Sequence, residues 1–565
     1  MRGATLLVSL MLWSFTVCPP AFAQAVPDYT QLDPRPYNPK VDPDTDLFMG
    51  NWRESMPRQT YGSLIERDLL TRFSGDDLHP RTRGAVLRFV NRLTYATLGA
   101  GNATTPATLR GEQLVLFTDC GEGSITAGGK TEALHSGVGI LLPPGLEFSL
   151  RNHGREPLSL YIISEPVPAG FTPNREMKMR DLALTTGGVS GHWTHIPRAL
   201  FMKEDGLATM AGVAPVWFDG VTMGQPHSHC PDSEEIWFSV RGNPYILLGK
   251  RLRPFPPGTA YKIPPDNLSP HSTININREP VLTFWFMTVP AQEAAAPSYS
   301  KLDDVVWKPD RRKDVVNFLR NWRDSMPVRT HGSLVERDVL TTGDPLAPGV
   351  PGAVLKYARR FTHATLYAHA STTPATLQGE QEIIYITGGR GTVAAGKKTA
   401  ELYPGIAVLL PEKLEFTLKN TGADPLTMYL VSEPTPAGFR PNRDILVVDE
   451  NTTPISSTTS HWCGIVKPLF QTSDGLGSLE SILTCEFSPQ TFFQPHSHAP
   501  DSEEVWVALD PDTWVLLGMQ IWPQTPGTAF MIPPDGKTPH ANFNVSDHPV
   551  KLFYFARFKD HAARK

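Results

Sequence analysis

The chain has 565 residues, of which 19% are charged, and its formal net charge is −5 at pH 7. This mildly acidic balance, without a basic cluster, makes nucleic acids and anionic membrane surfaces poor partners. The few cysteines exclude a disulfide framework in so long a chain, so stability must come from apolar cores.

The first 23 residues have the layout of a cleavable secretory signal. Arg2 is followed by an apolar run over residues 6–17 and by Ala-Phe-Ala at 21–23. Pro19 and Pro20 leave the run shorter than the roughly 20 apolar residues of a membrane anchor. We therefore expect a soluble mature protein that is secreted or periplasmic, and no later segment of the sequence is apolar enough to span a bilayer.

The rest of the chain contains one unit that occurs twice. NWRESMP at 51–57 returns as NWRDSMP at 321–327, and QPHSH at 225–229 returns at 494–498. Each shift is close to half the chain, which indicates that one long unit was copied whole. The stretch PAQEAAAPSYSK at 290–301 is rich in Pro, Ala and Ser and is typical of an interdomain linker.

Within each half, the hydrophobic pattern indicates β-strands. Runs such as 133–142, 146–150 and 158–163 alternate with a period of two and are separated by Pro and Gly. Convincing helical periodicity is confined to a short amphipathic piece at 315–323. Many short strands predict a sandwich or a closed barrel, and each half is long enough for two such domains. The sequence thus predicts an all-β chain of four barrels.

The later domain of each half carries a histidine pair and, further along the chain, a third histidine. These residues are His227, His229 and His271 in the first half, and His496, His498 and His540 in the second. Residues two apart in a strand point to the same face, so each pair projects to one side. A carboxylate on the next strand can then complete a set of three histidines and one carboxylate inside a barrel. Such a set is expected to bind a metal, whereas a lone histidine would be read as a core or surface residue.

This pattern resembles the two sequence motifs of the cupin superfamily. The first motif has H-x-H, a Glu and a Gly, and the second has a Gly, a Pro, a His and an Asn. The first half matches with His227, His229, Glu235, Gly242, Gly258, Pro264, His271 and Asn275. The second half matches with His496, His498, Glu504, Gly527, Pro533, His540 and Asn544. The resemblance implies four cupin-type (jelly-roll) β-barrels in two tandem bicupin halves.

The motifs depart from the superfamily pattern in three places. The gap before Glu235 is one residue longer than usual, which leaves Glu234, or Glu503 in the second half, as alternative ligands. The gap between Pro264 and His271 is two residues longer, which suggests an enlarged loop. The Gly of the first motif is missing after Glu504.

Histidine and carboxylate ligands with open positions suit divalent transition metals. Mn, Fe, Zn, Ni, Co and Cu all remain possible, because the spacing alone does not choose among them. We expect two ions per chain, one in each later barrel. The expected metal ligands are His227, His229, Glu235 and His271, and His496, His498, Glu504 and His540.

The earlier domain of each half resembles a cupin barrel that has lost its ligands. Phe148 and Phe416 stand where the last histidine of the motif would be, and no histidine pair precedes them. Glu382 survives alone in the third barrel, with Leu114 as its equivalent in the first. These barrels are expected to have apolar interiors and to serve as packing partners.

The predicted layout follows from the repeat and the motifs. It comprises a signal peptide at 1–23, an N-terminal arm at 24–60, degenerate barrel 1 at 61–175, metal-binding barrel 2 at 176–289, a linker and short helix at 290–330, degenerate barrel 3 at 331–443 and metal-binding barrel 4 at 444–565.

Several residues near the motifs allow two interpretations. Cys230 follows the histidine pair, but its position in the second copy is alanine, which favours a structural role. Gln225 and Gln494 precede the pairs and are candidates for lying near the open coordination positions. Cys463 and Cys485 either form a disulfide or remain free thiols.

A His-Trp pair opens each metal-binding barrel, at 192–193 and at 461–462. Either these side chains cover the barrel mouth and touch a substrate, or they are a packed aromatic ring beside a hydrogen-bonded histidine.

A metal with open positions can polarise a bidentate oxygen substrate or dioxygen. The resemblance therefore implies a metal-dependent enzyme, which the signal sequence predicts to be exported, with a dioxygenase-like oxidoreductase acting on a small oxygen-rich organic molecule as the first hypothesis. A lyase, isomerase or decarboxylase acting on a sugar acid or carboxylate is the second, and a non-catalytic metal- or carbohydrate-binding protein is the third. No further titratable motif names a general acid or base, and the catalytic residues and the oligomeric state stay open.

Overall fold

The computed structural model describes residues 32, 35–73, 75–189, 192–229, 231, 233–266, 268–288, 314–456 and 461–558. The predicted signal peptide, the linker at 290–301 and Cys230 lie outside the described residues.

Over these ranges the chain is all-β, which confirms the predicted fold class. Helical structure in the described ranges consists of 3-10 turns at Thr45–Phe48, Trp52–Glu54, Leu182–Leu184, Lys203–Asp205, Val316–Phe318, Trp322–Asp324 and Thr472–Asp474. A search of the same residues finds no helix with the length and apolar character needed to cross a membrane.

The first half forms strands β1 to β23. They are β1 (Met49–Asn51), β2 (Arg58–Thr60), β3 (Leu64–Arg72), β4 (Ala85–Leu87), β5 (Arg92–Leu98), β6 (Ala107–Thr108), β7 (Glu112–Cys120), β8 (Gly123–Ala127), β9 (Lys130–Leu134), β10 (Val138–Leu142), β11 (Glu147–Asn152), β12 (Leu158–Pro166), β13 (Lys178–Asp181), β14 (Ile196–Pro197), β15 (Phe201–Met202), β16 (Met210–Phe218), β17 (Thr222–Met223), β18 (Glu234–Arg241), β19 (Tyr245–Leu248), β20 (Arg251–Pro254), β21 (Thr259–Lys262), β22 (His271–Asn275) and β23 (Val281–Thr288).

The second half forms strands β24 to β45. They are β24 (Leu319–Asn321), β25 (Val328–Thr330), β26 (Leu334–Thr342), β27 (Ala353–Leu355), β28 (Arg360–Leu366), β29 (Ala375–Thr376), β30 (Glu380–Gly388), β31 (Gly391–Ala395), β32 (Lys398–Leu402), β33 (Ile406–Leu410), β34 (Glu415–Asn420), β35 (Leu426–Pro434), β36 (Leu446–Asp449), β37 (Ile465–Gln471), β38 (Ser481–Phe487), β39 (Thr491–Phe492), β40 (Glu503–Ala508), β41 (Thr513–Leu517), β42 (Gln520–Gln524), β43 (Thr528–Met531), β44 (His540–Asn544) and β45 (Val550–Arg557).

Each barrel is built from two sheets. Barrel 1 combines the order β13-β10-β7-β12-β5-β3-β2 with β6-β11-β8-β9, and barrel 3 repeats it with β36-β33-β30-β35-β28-β26-β25 and β29-β34-β31-β32. Barrel 2 combines β1-β21-β18-β23-β16-β14 with β20-β19-β22-β17, and barrel 4 combines β24-β43-β40-β45-β38-β37 with β42-β41-β44-β39. The four predicted barrels in two tandem halves are therefore present.

The two later barrels are joined directly. Thr222 of β17 pairs with Gln520 of β42, so the outer sheets of barrels 2 and 4 form one continuous eight-stranded sheet. The apolar cluster of the second half also takes in Met223 and Ile274 of barrel 2. Barrels 2 and 4 are therefore direct neighbours in the molecule.

Strands cross the predicted domain limits. β1, in the N-terminal arm, pairs with β21 of barrel 2, whereas β13, beyond the predicted limit at 175, pairs back with β10 of barrel 1. In the second half, β24 pairs with β43 of barrel 4, and β36 pairs back with β33 of barrel 3. The short amphipathic helix predicted at 315–323 is wrong, because these residues form a 3-10 turn, β24 and a second turn. The open edge of β43 pairs the backbone of this segment, which a short isolated helix could not stabilise alone.

The interiors of barrels 1 and 3 are filled with apolar side chains, as predicted. Phe148 and Leu114 belong to the cluster inside barrel 1, and Phe416 belongs to its counterpart inside barrel 3. Glu382 lies on the same face of β30 as Ile384 and is buried. Its burial, reinforced by the nearby Glu336, raises the pKa of Glu382 to about 8.

Buried carboxylates fasten the two barrels of each half together. Glu433 of barrel 3 accepts backbone hydrogen bonds from Gly477 (2.8 Å) and Ser478 (2.6 Å) of barrel 4. Glu165 of barrel 1 accepts one from Met210 (2.7 Å) of barrel 2 in the same way. Each carboxylate satisfies backbone donors that would otherwise be buried unpaired, which fixes the position of each later barrel.

Candidate metal centres

Strand pairing brings the histidines of each motif together. His227 and His271 form an isolated antiparallel bridge, in which the His271 amide donates to the His227 carbonyl at 2.8 Å. Glu235 lies on the neighbouring strand β18, near its start. His496 and His540 form the same bridge in barrel 4, beside Glu504 on β40.

In barrel 2, the four predicted side chains converge on one point. The Nε2 atom of His271 lies 3.2 Å from Nε2 of His227 and 3.2 Å from Nε2 of His229. Glu235 places its oxygens 3.5 Å from Nε2 of His229 and 3.6 Å from Nε2 of His271. All four residues are buried, and their candidate ligand atoms lie within 4.8 Å of one another.

Barrel 4 repeats this geometry. Nε2 of His540 lies 3.0 Å from Nε2 of His498 and 3.2 Å from Nε2 of His496. The Glu504 oxygens lie 3.4 Å from His498 and 3.5 Å from His540. The structure thus brings together both predicted sets, and ligation itself stays a prediction.

The donor set fits a transition-metal ion. Two nitrogens that each lie about 2.1 Å from one ion are about 3.0 Å apart at a right angle and about 3.4 Å apart in a tetrahedron. The observed nitrogen separations of 3.0 to 3.2 Å fall in this interval. Without a metal, the lone pairs of the three Nε2 atoms would also point at one another and repel. Two metal-type sites, one per half, are therefore built into the fold.

Hydrogen bonds behind the rings orient the ligand atoms. Nδ1 of His227 lies 2.8 Å from the carbonyl of Gln225, and Nδ1 of His496 lies 2.9 Å from that of Gln494. A carbonyl only accepts, so Nδ1 carries the proton and Nε2 presents its lone pair. Trp237 donates to Glu235 at 2.7 Å, and fixes the carboxylate in turn.

Burial keeps these histidines neutral. Burial, followed by the effect of His229, lowers the pKa of His227 to about 4, and burial with the nearby His192 lowers the pKa of His229 to about 3. Burial also lowers the pKa of His540 to about 3, although Glu504 opposes the shift. Neutral imidazole is the form that binds a metal, so both sites are ready to bind at neutral pH.

The structure separates the alternative carboxylates. Successive residues of a strand face opposite sides, so Glu235 faces the histidines and Glu234 faces away. Glu234 accepts backbone hydrogen bonds from residues 88–90 of barrel 1. Glu503 likewise accepts them from residues 356–358 of barrel 3, at 2.6 to 2.9 Å. Glu234 and Glu503 therefore join barrels, and Glu235 and Glu504 are the carboxylates in position to bind metal.

The two sites differ in what lies behind the ligands. In barrel 2 the Tyr261 hydroxyl lies 3.3 Å from Nδ1 of His271. Barrel 4 has Phe530 at that position, and Nδ1 of His540 has no hydrogen-bond partner among the described residues. Tyr554 instead donates to Glu504 at 3.2 Å. Sequence reasoning missed these tyrosines, although the replacement of Tyr261 by Phe in the second copy was a visible signal.

The His-Trp pairs place their two side chains in different surroundings. The ring of His192 stacks on His227 with centroids 4.5 Å apart, and His461 stacks on His496 at 4.4 Å. Trp193 is buried and has a positive φ of 62°, a strained conformation for a bulky residue. The histidines therefore border the metal sites while the tryptophans pack into the protein.

The N-terminal arm reaches the site in barrel 4. The side-chain amide of Gln494 donates to the backbone carbonyl of Leu32, and its oxygen lies 3.3 Å from Nδ1 of His461. Leu32 is fully buried in the apolar cluster of the second half. Sequence reasoning did not find this contact, because no local pattern links residues so far apart.

The two cysteines weighed as a disulfide are free thiols. Burial raises the pKa of Cys463 to about 12, so the thiol stays protonated and unreactive at neutral pH. Cys485 is buried as well, and Cys463 donates to the carbonyl of Phe492 at 3.4 Å.

No protein-family model and no curated protein matches the chain. Among solved structures, it is similar to a putative glyoxylate-induced protein from Pseudomonas aeruginosa, at 14% identity and a TM-score of 0.37, over 46% of this chain and 96% of that one. It is also similar to an oxalate decarboxylase from Bacillus subtilis, at 11% identity and a TM-score of 0.33, over 43% of this chain and 77% of that one. A third similar structure is the vicilin of hazelnut (Corylus avellana), at 15% identity and a TM-score of 0.34, over 43% of this chain and 85% of that one.

The assignment of the fold comes from the chain's own barrels. In each half, one barrel with an apolar interior is followed by one in which an H-x-H pair, a glutamate on the next strand and a later histidine meet. The chain is therefore a duplicated pair of β-barrels, and its fold and motifs resemble those of the cupin superfamily.

Proposed function

We propose that the protein is an exported metal-dependent oxidoreductase, dioxygenase-like, that acts on a small oxygen-rich organic substrate at both later barrels. The observation that carries the proposal is the convergence of three imidazoles and one carboxylate in a buried cluster in each later barrel. Four protein ligands leave positions open on an ion that accepts up to six, and these suit a bidentate oxygen donor or dioxygen.

The protein's own residues hold the site and limit the access of water. His227, His229, Glu235 and His271 would hold the ion in barrel 2, and His496, His498, Glu504 and His540 in barrel 4. A bound transition metal would supply Lewis acidity and, where its oxidation state can change, electron exchange. Aromatic rings pack beside the cluster of barrel 2, where His195 contacts Phe218 and Trp237. Low polarity around the cluster strengthens the electrostatic contacts made there.

Export is the second part of this proposal and is supported by the signal-like sequence at 1–23. Expression of the chain with and without residues 2–23, followed by cell fractionation, tests it. We expect a processed protein in the periplasm or medium only when these residues are present. Equal retention of both forms in the cytoplasm would contradict export.

Oxygen uptake tests the chemistry. Protein loaded in turn with Mn, Fe, Co, Ni, Cu or Zn would be assayed with small diols, enediols and hydroxy acids in an oxygen electrode. We expect metal-dependent uptake that is abolished in the double variant His227→Ala/His496→Ala. The exposed His369 lies away from both sites, so His369→Ala serves as a matched control with unchanged uptake.

The same assay separates the other two functions. Turnover of a sugar acid or carboxylate under strict anaerobiosis would contradict the oxidoreductase and favour a lyase, isomerase or decarboxylase. Ligand binding without turnover, with an affinity that survives loss of the metal in the double variant, would contradict an enzyme and favour a binding protein.

A further inference from the structure

A cleft of about 350 Å³ opens between barrels 3 and 4, away from the two metal centres. Its volume lies within the range of about 300 to 1,000 Å³ typical of small-molecule sites. Aromatic and charged side chains from both barrels line it, among them Trp322, His363, Tyr385, Tyr429, Glu450 and Lys551.

A buried polar cluster forms one wall of this cleft. The Tyr385 hydroxyl donates to Oε2 of Glu450 at 2.6 Å, and Thr484 donates to Oε1 at 2.9 Å. Nζ of Lys551 lies 2.9 Å from the same Oε1 and is partly exposed, at 36% of its side chain. A carboxylate accepts about four hydrogen bonds, so Glu450 retains capacity for one more.

The first half shows that the fold does not need this cluster. It has a cleft of about 300 Å³ at the corresponding place, lined by Phe117, Leu182 and Leu282 and, at other positions, by charged side chains that include Asp119, Asp181, Arg198 and Arg241. Phe117, Leu182 and Leu282 occupy the positions of the tyrosine, glutamate and lysine on equivalent strands, and Pro215 occupies that of the threonine. The two barrels pack in the same way around these apolar side chains.

A buried ion pair is usually no more stable than well-packed apolar residues of similar size. The polar cluster therefore adds little to the free energy of unfolding compared with the apolar residues at the same positions in the first half. Its distinguishing feature is that Tyr385, Glu450 and Lys551 form one linked set of donors and acceptors on the cleft wall, at positions that are apolar in the first half. A binding role accounts for that feature, whereas a packing role does not.

The charges of the cleft define the chemistry of its ligand. Glu450 and Asp510 balance Arg323 and Lys551. Burial lowers the pKa of His363 to about 4, so this ring is neutral at pH 7. A cleft without net charge, with both donors and acceptors beside aromatic rings, favours a neutral molecule with many hydroxyl groups over an anion.

We propose that this cleft binds a neutral, hydroxyl-rich small molecule of mono- or disaccharide size. Glu450 accepts a hydrogen bond from a ligand hydroxyl, Lys551 donates one, and Tyr429 contributes an aromatic wall. The site is distinct from both metal centres and has no equivalent polar set in the first half.

Saturation-transfer NMR on the full-length protein tests the proposal, with D-glucose, D-galactose, maltose and myo-inositol as neutral probes and D-gluconate as the anionic comparison. We expect at least one neutral probe to bind more tightly than D-gluconate. The triple variant Tyr385→Phe/Glu450→Leu/Lys551→Leu installs the residues that the first half already uses at these positions. Its affinity should fall at least tenfold, since hydrogen bonds to two charged groups are lost.

Two further variants keep the test decisive. Lys551→Leu alone removes the partly exposed donor to the ligand and should weaken binding about tenfold even if the triple variant fails to fold. Arg241→Ala, in the first-half cleft, should leave both binding and metal content unchanged. Absence of binding by every neutral probe, tighter binding of D-gluconate, or undiminished binding by a folded triple variant or by Lys551→Leu would overturn the proposal.

Discussion

Replacing Glu503 by alanine is expected to lower the free energy of unfolding by about 4 kcal/mol, because three backbone amides of residues 356–358 lose their common acceptor. These amides belong to barrel 3, whereas Glu503 belongs to barrel 4, so the junction between the barrels is weakened directly. The metal content should stay at two ions per chain, because Glu503 faces away from the histidines. Urea unfolding and metal analysis of the same sample measure the two effects.

The variant Glu504→Ala is expected to have the opposite pair of effects. It removes a carboxylate of the metal site and leaves the junction intact, so one ion should be lost. Glu415→Ala, at an exposed carboxylate on β34, should change neither quantity. Loss of metal in Glu503→Ala, with metal retained in Glu504→Ala, would reverse the assignment of these two neighbours.

The second large effect is acid destabilisation of the metal-free protein. Burial lowers the pKa of His227 to about 4 and of His229 and His540 to about 3, and it also lowers the pKa values of His271 and His496. In the unfolded chain each of these histidines takes up a proton near pH 6.5. Between pH 7 and pH 5 the unfolded state therefore binds more protons, and stability falls by about 2 kcal/mol per histidine.

One buried carboxylate acts in the opposite direction. Because burial raises the pKa of Glu382 to about 8, the native state holds a proton there that the unfolded state releases above about pH 4.5. Acidification over the same interval therefore adds about 2 kcal/mol of stability through Glu382 and offsets one histidine. The net change remains strongly destabilising.

Urea unfolding of the chelator-treated protein at pH 7 and pH 5 measures this change. Replacing His227 by Gln should lower by about one the number of protons that the protein takes up on unfolding at pH 5. The control variant His369→Ala, at an exposed histidine, should leave this number unchanged. Stability that is constant or rises toward pH 5 would show that these histidines are not buried in the neutral form.

The sequence predicted which side chains come together because the relevant signals are local and duplicated. An H-x-H pair in an extended segment fixes two side chains on one face, and its recurrence beside a later histidine rules out coincidence. The choice between Glu234 and Glu235 was beyond this reasoning, since the turn before β18 breaks the alternation that starts at His227. Trp237, two residues after Glu235 and bonded to it, marks the correct face only once the strand is seen.

The partners of strands that pair with distant segments of the chain could not be predicted from the sequence. β1 and β24 lie just before barrels 1 and 3 in the chain, yet they pair with barrels 2 and 4. No local pattern encodes such a partner, because an edge strand pairs wherever a free edge is presented. The polar cluster of Tyr385, Glu450 and Lys551 was open to discovery from the sequence. Position-by-position comparison of the two copies shows polar residues there against apolar ones in the first half.

Metal analysis of purified, dialysed protein tests the central claim most directly, namely that each later barrel holds a complete site of its own. All four side chains of each site come from a single barrel. The account predicts close to two ions per chain in the natural protein, about one when either His227 or His496 is replaced by alanine, and none when both are replaced. A single replacement that empties both sites, or a double variant that keeps its metal, would contradict it.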